Sequence, residues 1–140
     1  MTCWGETGGG PLQFNRLRAL ALGPDGNLYA ADACNHRIQV FTRDGGFVRE
    51  FGRPGPAVGD LSYPYDLCLM AWAYRVAGRD AERGNNRVQK FAADGRSLGC
   101  WGTAGRGPGE LAEPWGLVVD KFGRVHVIDT ENHRVQRVRF

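Results

Sequence analysis

At 140 residues, with a formal net charge of +3 and a pI near 8.8, the chain has the length of one domain and too mild a basic balance to demand a nucleic-acid partner. Cys3, Cys34, Cys68 and Cys100 form no Cys-x-x-Cys pair, which excludes a zinc ribbon and a thioredoxin-like redox motif. The longest apolar run, residues 67–74, is too short to span a bilayer, so no membrane partner is expected; with Met1 as the true start, the expected location is the cytoplasm.

In chain order, the first predicted strand carries Ala19-Leu-Ala-Leu22, with Leu17 before it. Asp25-Gly26 then turns the chain into a second strand, Asn27 to Ala31, because glycine supplies the positive φ that tight hairpins need. The third strand is Asn35-His-Arg-Ile-Gln-Val-Phe41, in which Ile38 and Val40 face one way and Arg37, Gln39 and Phe41 the other. Asp44-Gly45 leads to a fourth strand, Phe47 to Phe51.

The same series returns twice. An offset of 97 residues carries the start of the chain onto its end without a gap, placing Cys3-Trp4-Gly5 on Cys100-Trp101-Gly102, Asp32 on Asp129 and Arg37 on Arg134. The middle copy lies 47 residues after the first as far as Leu67 and 50 after it from Asn85, an insertion of three residues between them. Its fourth strand is Ser97 to Trp101, while the third copy reads as Gly116-Leu-Val-Val119, Arg124 to Ile128 and Asn132 to Val138. The middle copy departs most from the pattern: residues 70–75 lack a turn glycine, leaving its first hairpin unassigned, and residues 79–84 form a longer loop. Either the unit has decayed or the change carries Trp72 and Tyr74 outward to a partner.

Four antiparallel strands per unit of this length describe a propeller blade, which must stack on neighbours to bury both faces. The series from Gly109 to Gln136, Gly-x-Leu-x-x-Pro-x-Gly-Leu-x-Val-Asp-x-x-Gly-x-Val-x-Val-x-Asp-x-x-Asn-His-Arg-Val-Gln, resembles the NHL repeat, and the resemblance extends over essentially the whole chain. It implies an all-β fold of NHL-type β-propeller blades, usually six to a ring. Three four-stranded blades, at about 6–52, 53–102 and 103–140, would make half of one. Residues 1–5 align with a fourth strand, and the third copy stops before its own. Two chains joined head to tail, each N-terminus pairing with residues 135–140 of the other, would close both edges. A fragment of a longer polypeptide would meet the same need differently.

The Gly- and Pro-rich connectors precede strands rather than helices and lack the Lys-Ser/Thr of a phosphate loop, so they read as links between blades. Asp32, Asp80 and Asp129, with Arg37, Arg87 and Arg134, recur once per unit. That suits a structural carboxylate–guanidinium pair better than a catalytic group, which is needed once. No catalytic residue is assigned. His36 and His133 share a position that Asn86 fills in the middle copy, pointing to a hydrogen-bonding loop residue; with His126 out of phase, no metal site or cofactor is expected.

Positions that differ between units carry the expected site. Arg18, Tyr65 and Trp115 are equivalent, each one residue after Leu17, Pro64 and Pro114. With Arg16, His36, Arg83 and His133 they are expected to ring one mouth of the channel, a composition suited to binding hot spots and to stacking single-stranded bases. The alternative is that Tyr65 and Trp115 are wedged between blades. The NHL resemblance implies binding: the propellers of TRIM-NHL ubiquitin ligases bind RNA or protein, and others serve as sensor domains of bacterial kinases. A module for protein or peptide, with RNA as the second ligand class, is therefore expected. The rival class is a metal-dependent propeller enzyme such as the alpha-amidating lyase or a lactonase.

Overall fold

The computed structural model describes residues 3–70, 73–78 and 85–139, with backbone alone at 69, 70 and 73–78. A short parallel ladder opens the chain, β1 (Glu6–Thr7) against β2 (Gln13–Phe14). The first sheet follows as β3 (Leu17–Leu22), β4 (Leu28–Asp32), β5 (Arg37–Phe41) and β6 (Phe47–Phe51), antiparallel and in sequence order. The second is β7 (Pro64–Met70), β8 (Ala73–Gly78), β9 (Arg87–Ala92) and β10 (Ser97–Trp101). A second parallel ladder, β11 (Thr103–Ala104) with β12 (Glu110–Leu111), leads into β13 (Pro114–Val119), β14 (Val125–Asp129) and β15 (Arg134–Val138). The third sheet thus has three strands among the described residues, not four.

The inner strands β3, β7 and β13 lie side by side, as they must when sheets stack around a common axis. Burial follows from that stacking. Tyr29, Ala31, Ile38 and Val40 of the first sheet meet Leu61, Leu67 and Phe91 of the second unit in one apolar cluster. Val88 of the second meets Leu111, Leu117, Val125 and Val127 of the third in another. The expected alternation along β5 holds, yet all five of its residues are buried because both faces are covered: Phe41 lies under Trp4, Phe14 and Phe47.

The repeated polar residues fasten each connector to its sheet. Arg37 donates from Nη1 to Gly9 O, and from Nη2 to Gly10 O and Gln13 O. Arg134 repeats this on Arg106, Gly107 and Glu110, and Arg87 on Pro56, Ala57 and Asp60. Asn35, Asn85 and Asn132 donate to the carbonyls of Gly8, Gly55 and Gly105. Glycine suits these three carbonyl positions because their φ values of 156°, 159° and 153° strain an L side chain, and a Cβ would in addition press on the side-chain oxygens of Gln13, Asp60 and Glu110. Those oxygens accept the N–H groups of Gly10, Ala57 and Gly107, closing the turn.

Among the described residues, a buried carboxylate completes the fastening in the first and third units. Asp32 accepts Arg37 Nε at 2.9 Å, Asn15 N–H at 2.8 Å, and the amides of Asn35 and Gln39. Asp129 accepts Arg134 Nε at 2.7 Å, Ala112 N–H at 2.7 Å, Asn132 and Gln136. Burial alone would raise the pKa of Asp129, but these hydrogen bonds to its charged form outweigh it and hold the carboxyl below its usual value.

The middle unit corrects the expected register. Asp32 pairs with Arg37 and Asp129 with Arg134, but the residue opposite Arg87 is Gly78. Asp80, matched to Asp32 from sequence spacing, lies outside the described residues. Met70 pairs with Ala73, so β7 and β8 form a hairpin without a turn glycine. The side chains of Trp72 and Tyr74 also lie outside those described.

Candidate binding site at the inner strands

The site begins with an irregularity shared by the three inner strands. In each, the pairing register slips by one residue, between Leu17 and Ala19, between Pro64 and Asp66, and between Pro114 and Gly116. Arg18, Tyr65 and Trp115 are therefore the extra residues of three equivalent β-bulges. A bulge re-aims the side chain it carries, and here it brings the three together. Tyr65 and Trp115 stack with ring centroids 5.7 Å apart and planes 11° from parallel. The guanidinium of Arg18 lies over the other ring of the pair, 4.8 Å from the Tyr65 centroid. An offset aromatic pair contributes about 0.5–1.5 kcal/mol beyond its area, and an exposed cation–π contact about 0.5–1. Trp115 remains 49% exposed, so this ladder ends on an open aromatic surface. Below it, Asp66 accepts Leu67 N–H and, across the unit boundary, Leu117 N–H at 2.9 Å.

The other expected residues have different surroundings. Nδ1 of His36 accepts the Tyr63 N–H at 3.2 Å, and its ring meets Tyr63 edge-on at 4.5 Å. Asn86 does the same with its side-chain oxygen, accepting Glu113 N–H at 3.0 Å. This shared position is a latch from one unit to the next, which explains why histidine and asparagine exchange there. Arg16 and His133 are both exposed, on the first and third units, and no hydrogen bond or ring contact among the described residues joins either to the ladder. Arg83 lies outside the described residues. His126 sits with Arg124 on Asp120, whose carboxyl is buried enough to favour the neutral form; the bonds from Arg124, His126 and Phe122 N–H override this and hold it well below its usual value. Among the described residues no three His, Cys, Asp or Glu side chains are grouped to hold a metal, and no helix is long and apolar enough to cross a membrane.

Tyr63 was not legible as a functional position. Its signal is conformational: Arg16, Tyr63 and Glu113 are equivalent and share positive φ values of 62°, 44° and 51°, which sequence alone does not display.

Stacked four-stranded sheets with their inner strands side by side and a bulge-borne ladder at one end define a β-propeller chain of the kind that presents a binding surface. Residues 14–41 and 111–138 match the NHL repeat, one copy in the first unit and one in the third. It is 33% identical over 67 residues to Protein brain tumor of Drosophila melanogaster, a match covering 48% of this chain and 6% of that protein. Among solved structures it superposes on a streptogramin B lyase (TM-score 0.66, 16% identity, 88% of this chain and 37% of that one). It also superposes on the virginiamycin B lyase of Staphylococcus aureus (TM-score 0.58, 17% identity, 89% and 41%). These structural likenesses show the fold alone. The chain spans less than half the length of each of these proteins.

Proposed function

We propose that the protein is a non-catalytic binding module that recognises protein or peptide through the mouth where Arg18, Tyr65 and Trp115 stack. The observation that carries this reading is the ladder itself: three equivalent bulges bear three different side chains, and these meet in one surface with an open tryptophan face. Arg37, Arg87 and Arg134, which hold the connectors, recur in kind, whereas the three ladder residues do not. Arginine and aromatic side chains are also the groups that dominate binding energy in protein interfaces. Single-stranded RNA is the second ligand class, because any base can stack on an exposed indole. Head-to-tail pairing of two copies would extend the mouth around the channel.

The test is selection of displayed peptides against the wild-type chain, compared with the triple variant Arg18→Ala, Tyr65→Ala, Trp115→Ala. Enriched peptides should lose at least tenfold in affinity for a variant that still unfolds cooperatively, its melting temperature lowered only by the loss of the ladder contacts. Peptides that bind both proteins equally would place the site elsewhere. A ten-nucleotide homopolymeric RNA titrated in parallel decides the ligand class: binding by RNA and by no peptide would make the module an RNA binder.

The enzymatic alternative takes its support from the solved structures on which the chain superposes, two of which are lyases. A metal-dependent reaction here would require stoichiometric zinc or calcium in the purified protein, and elemental analysis answers that directly.

A further inference from the structure

The two junctions inside the chain are latched at the same place by different chemistry. At the first, Nδ1 of His36 accepts the Tyr63 N–H at 3.2 Å, and the imidazole meets the Tyr63 ring edge-on at 4.5 Å. At the second, the side-chain oxygen of Asn86 accepts the Glu113 N–H at 3.0 Å. Each gripped residue lies two positions before a ladder residue with a proline between, in Tyr63-Pro64-Tyr65 and Glu113-Pro114-Trp115. Proline holds its φ at about −65°, so the link from the gripped N–H to the bulge is short and stiff. Tyr65 is the middle rung of the ladder: Arg18 lies over its ring at 4.8 Å and Trp115 stacks on it at 5.7 Å.

We infer that His36 is a positioning residue for the ladder, that it sets Tyr65 only as the neutral imidazole, and that the first junction is therefore sensitive to protons where the second is not. A ring nitrogen that accepts a hydrogen bond must be unprotonated, so the single proton of neutral His36 sits on Nε2. A second proton, added at Nδ1, turns the acceptor into a donor that faces another donor, the Tyr63 N–H, and the latch opens. The amide oxygen of Asn86 gains no proton over the range in which imidazoles change charge. Histidine and asparagine are thus equivalent as acceptors and differ in one property, titration.

The charged groups on the segments packed around His36 are engaged elsewhere. Arg37, next in its own strand, is held by Asp32 and Glu50. On the facing segment Asp60 is held by Arg53 and the Ala57 N–H, and Asp66 by the N–H groups of Leu67 and Leu117. Arg18 lies over the Tyr65 ring. Among the described residues no carboxylate or guanidinium forms an ion pair with the imidazole, and neither Arg16, Cys34 nor the Tyr63 hydroxyl makes a hydrogen bond to it. A proton gained at Nδ1 therefore meets the Tyr63 N–H with no counter-charge beside it. The inference rests on reading the ladder as the binding surface, but its direct consequence is structural: as His36 takes up a proton, Tyr63 is released and Tyr65 shifts beneath Arg18 and Trp115.

Nuclear magnetic resonance of the isotopically labelled 140-residue chain tests this with no ligand present, so its failure is distinct from a failure of the binding reading. As the solution is taken from about pH 8 to 5, the Tyr63 amide and the ring protons of Tyr65 should shift in step with the His36 imidazole, while the Glu113 amide does not follow. In His36→Asn, which installs the acceptor of the second junction, the Tyr63 amide and Tyr65 ring should stay fixed over the same range. His126, on Asp120, and the exposed His133 are present in both proteins, so their titration cancels in the comparison. If His36→Asn misfolds, Asn86→His makes the complementary test, and the Glu113 amide should acquire a titration that it lacks in the wild type. A His36 titration that leaves Tyr63 and Tyr65 unmoved, the absence of any His36 titration in this range, a Tyr65 shift that persists in His36→Asn, or a Glu113 amide that stays fixed in Asn86→His would each overturn the inference.

Discussion

In the first and third units a buried carboxylate on the second strand fastens the connector, and among the described residues of the middle unit no strand carboxylate stands in that place. Around Asp32 and Asp129, arginine Nε, a glutamine, an asparagine and a backbone N–H converge on one acceptor group. Opposite Arg87 stands Gly78, and the Nε of Arg87 is buried with no hydrogen-bond partner among the described residues. Among the described residues Gln89 bonds within the connector, donating to Asp60 O and accepting from Gly59 N–H, and Asn85 turns to the hydroxyl of Ser62. What all three units share is the set of arginine bonds to connector carbonyls. The difference shows that those bonds define the connector's path, whereas the carboxylate adds charge compensation and ties β4 or β14 into the same network.

The strongest way to break this contrast is to give the first unit the middle unit's deficiency. Asp32→Ala would remove the acceptor shared by Arg37 Nε, the Asn15 N–H, Asn35 and Gln39 and leave Arg37 with Glu50 as its charged partner, so the loss should approach the about 3–5 kcal/mol of breaking a buried pair. Urea denaturation should show that loss; a change under about 1 kcal/mol would mean that the connector carbonyls satisfy Arg37 on their own. The reverse substitution sharpens the contrast. Gly78→Asp supplies a carboxylate at the register position that faces Arg87, and a new hydrogen bond to a charged group contributes about 1.5–3 kcal/mol. The urea midpoint should rise, and a fall would show that the longer middle loop holds this position in a conformation only glycine accepts.

Acid distinguishes the units by another route. Asp129 has a pKa below the ordinary value of 3.8 in the folded chain. A group with a depressed folded pKa contributes stability above its unfolded pKa and loses that contribution as pH falls through the folded one. Stability should therefore decline below about pH 4, and Asp129→Asn, which removes the titrating group, should flatten that part of the curve while lowering stability at neutral pH. An identical slope in wild type and variant would assign the acid sensitivity to other carboxylates.

Much of the fold was legible because the repeat is strict in the first and third units. The offset of 97 residues placed Asp129 on Asp32 and Trp101 on Trp4 without a gap, and turn glycines located β6 and β10 to the residue. The middle unit resisted because sequence displays only a net insertion. Between Leu67 and Gly78 there is one residue fewer than between Leu20 and Asp32, and between Gly78 and Asn85 there are four more than between Asp32 and Asn35. Compensating changes of opposite sign look like a single insertion of three, so Asp80 took the place that belongs to Gly78. At the site, equivalence under the offset was enough to group Arg18, Tyr65 and Trp115. The bulges that bring them into contact were not visible, since one extra residue in a short strand leaves the apolar pattern nearly unchanged. His36 was legible as a polar loop residue through its exchange with Asn86, but its partner Tyr63 belongs to the next unit, a contact made only on stacking.

The smallest expected effect concerns the ion pair that the middle connector does possess. Arg53 Nε lies 2.7 Å from Asp60, and that bond, ahead of the opposing effect of burial and the added Ala57 N–H, keeps the Asp60 carboxyl below its usual pKa. Two arguments make Arg53 dispensable. Its side chain is largely exposed, where solvent screens the pair and side-chain ordering offsets most of the gain. Asp60 also keeps the Ala57 N–H, and its backbone carbonyl, not its side chain, receives Arg87 and Gln89. Arg53→Ala should thus leave the urea midpoint unchanged within measurement error, with only a slight loss of acid tolerance as the Asp60 pKa returns toward 3.8. A loss approaching that of Asp32→Ala would give the opposite answer: the middle unit would then have moved its carboxylate–guanidinium pair from the strands to the connector, and Arg53 with Asp60 would be the counterpart of Arg37 with Asp32.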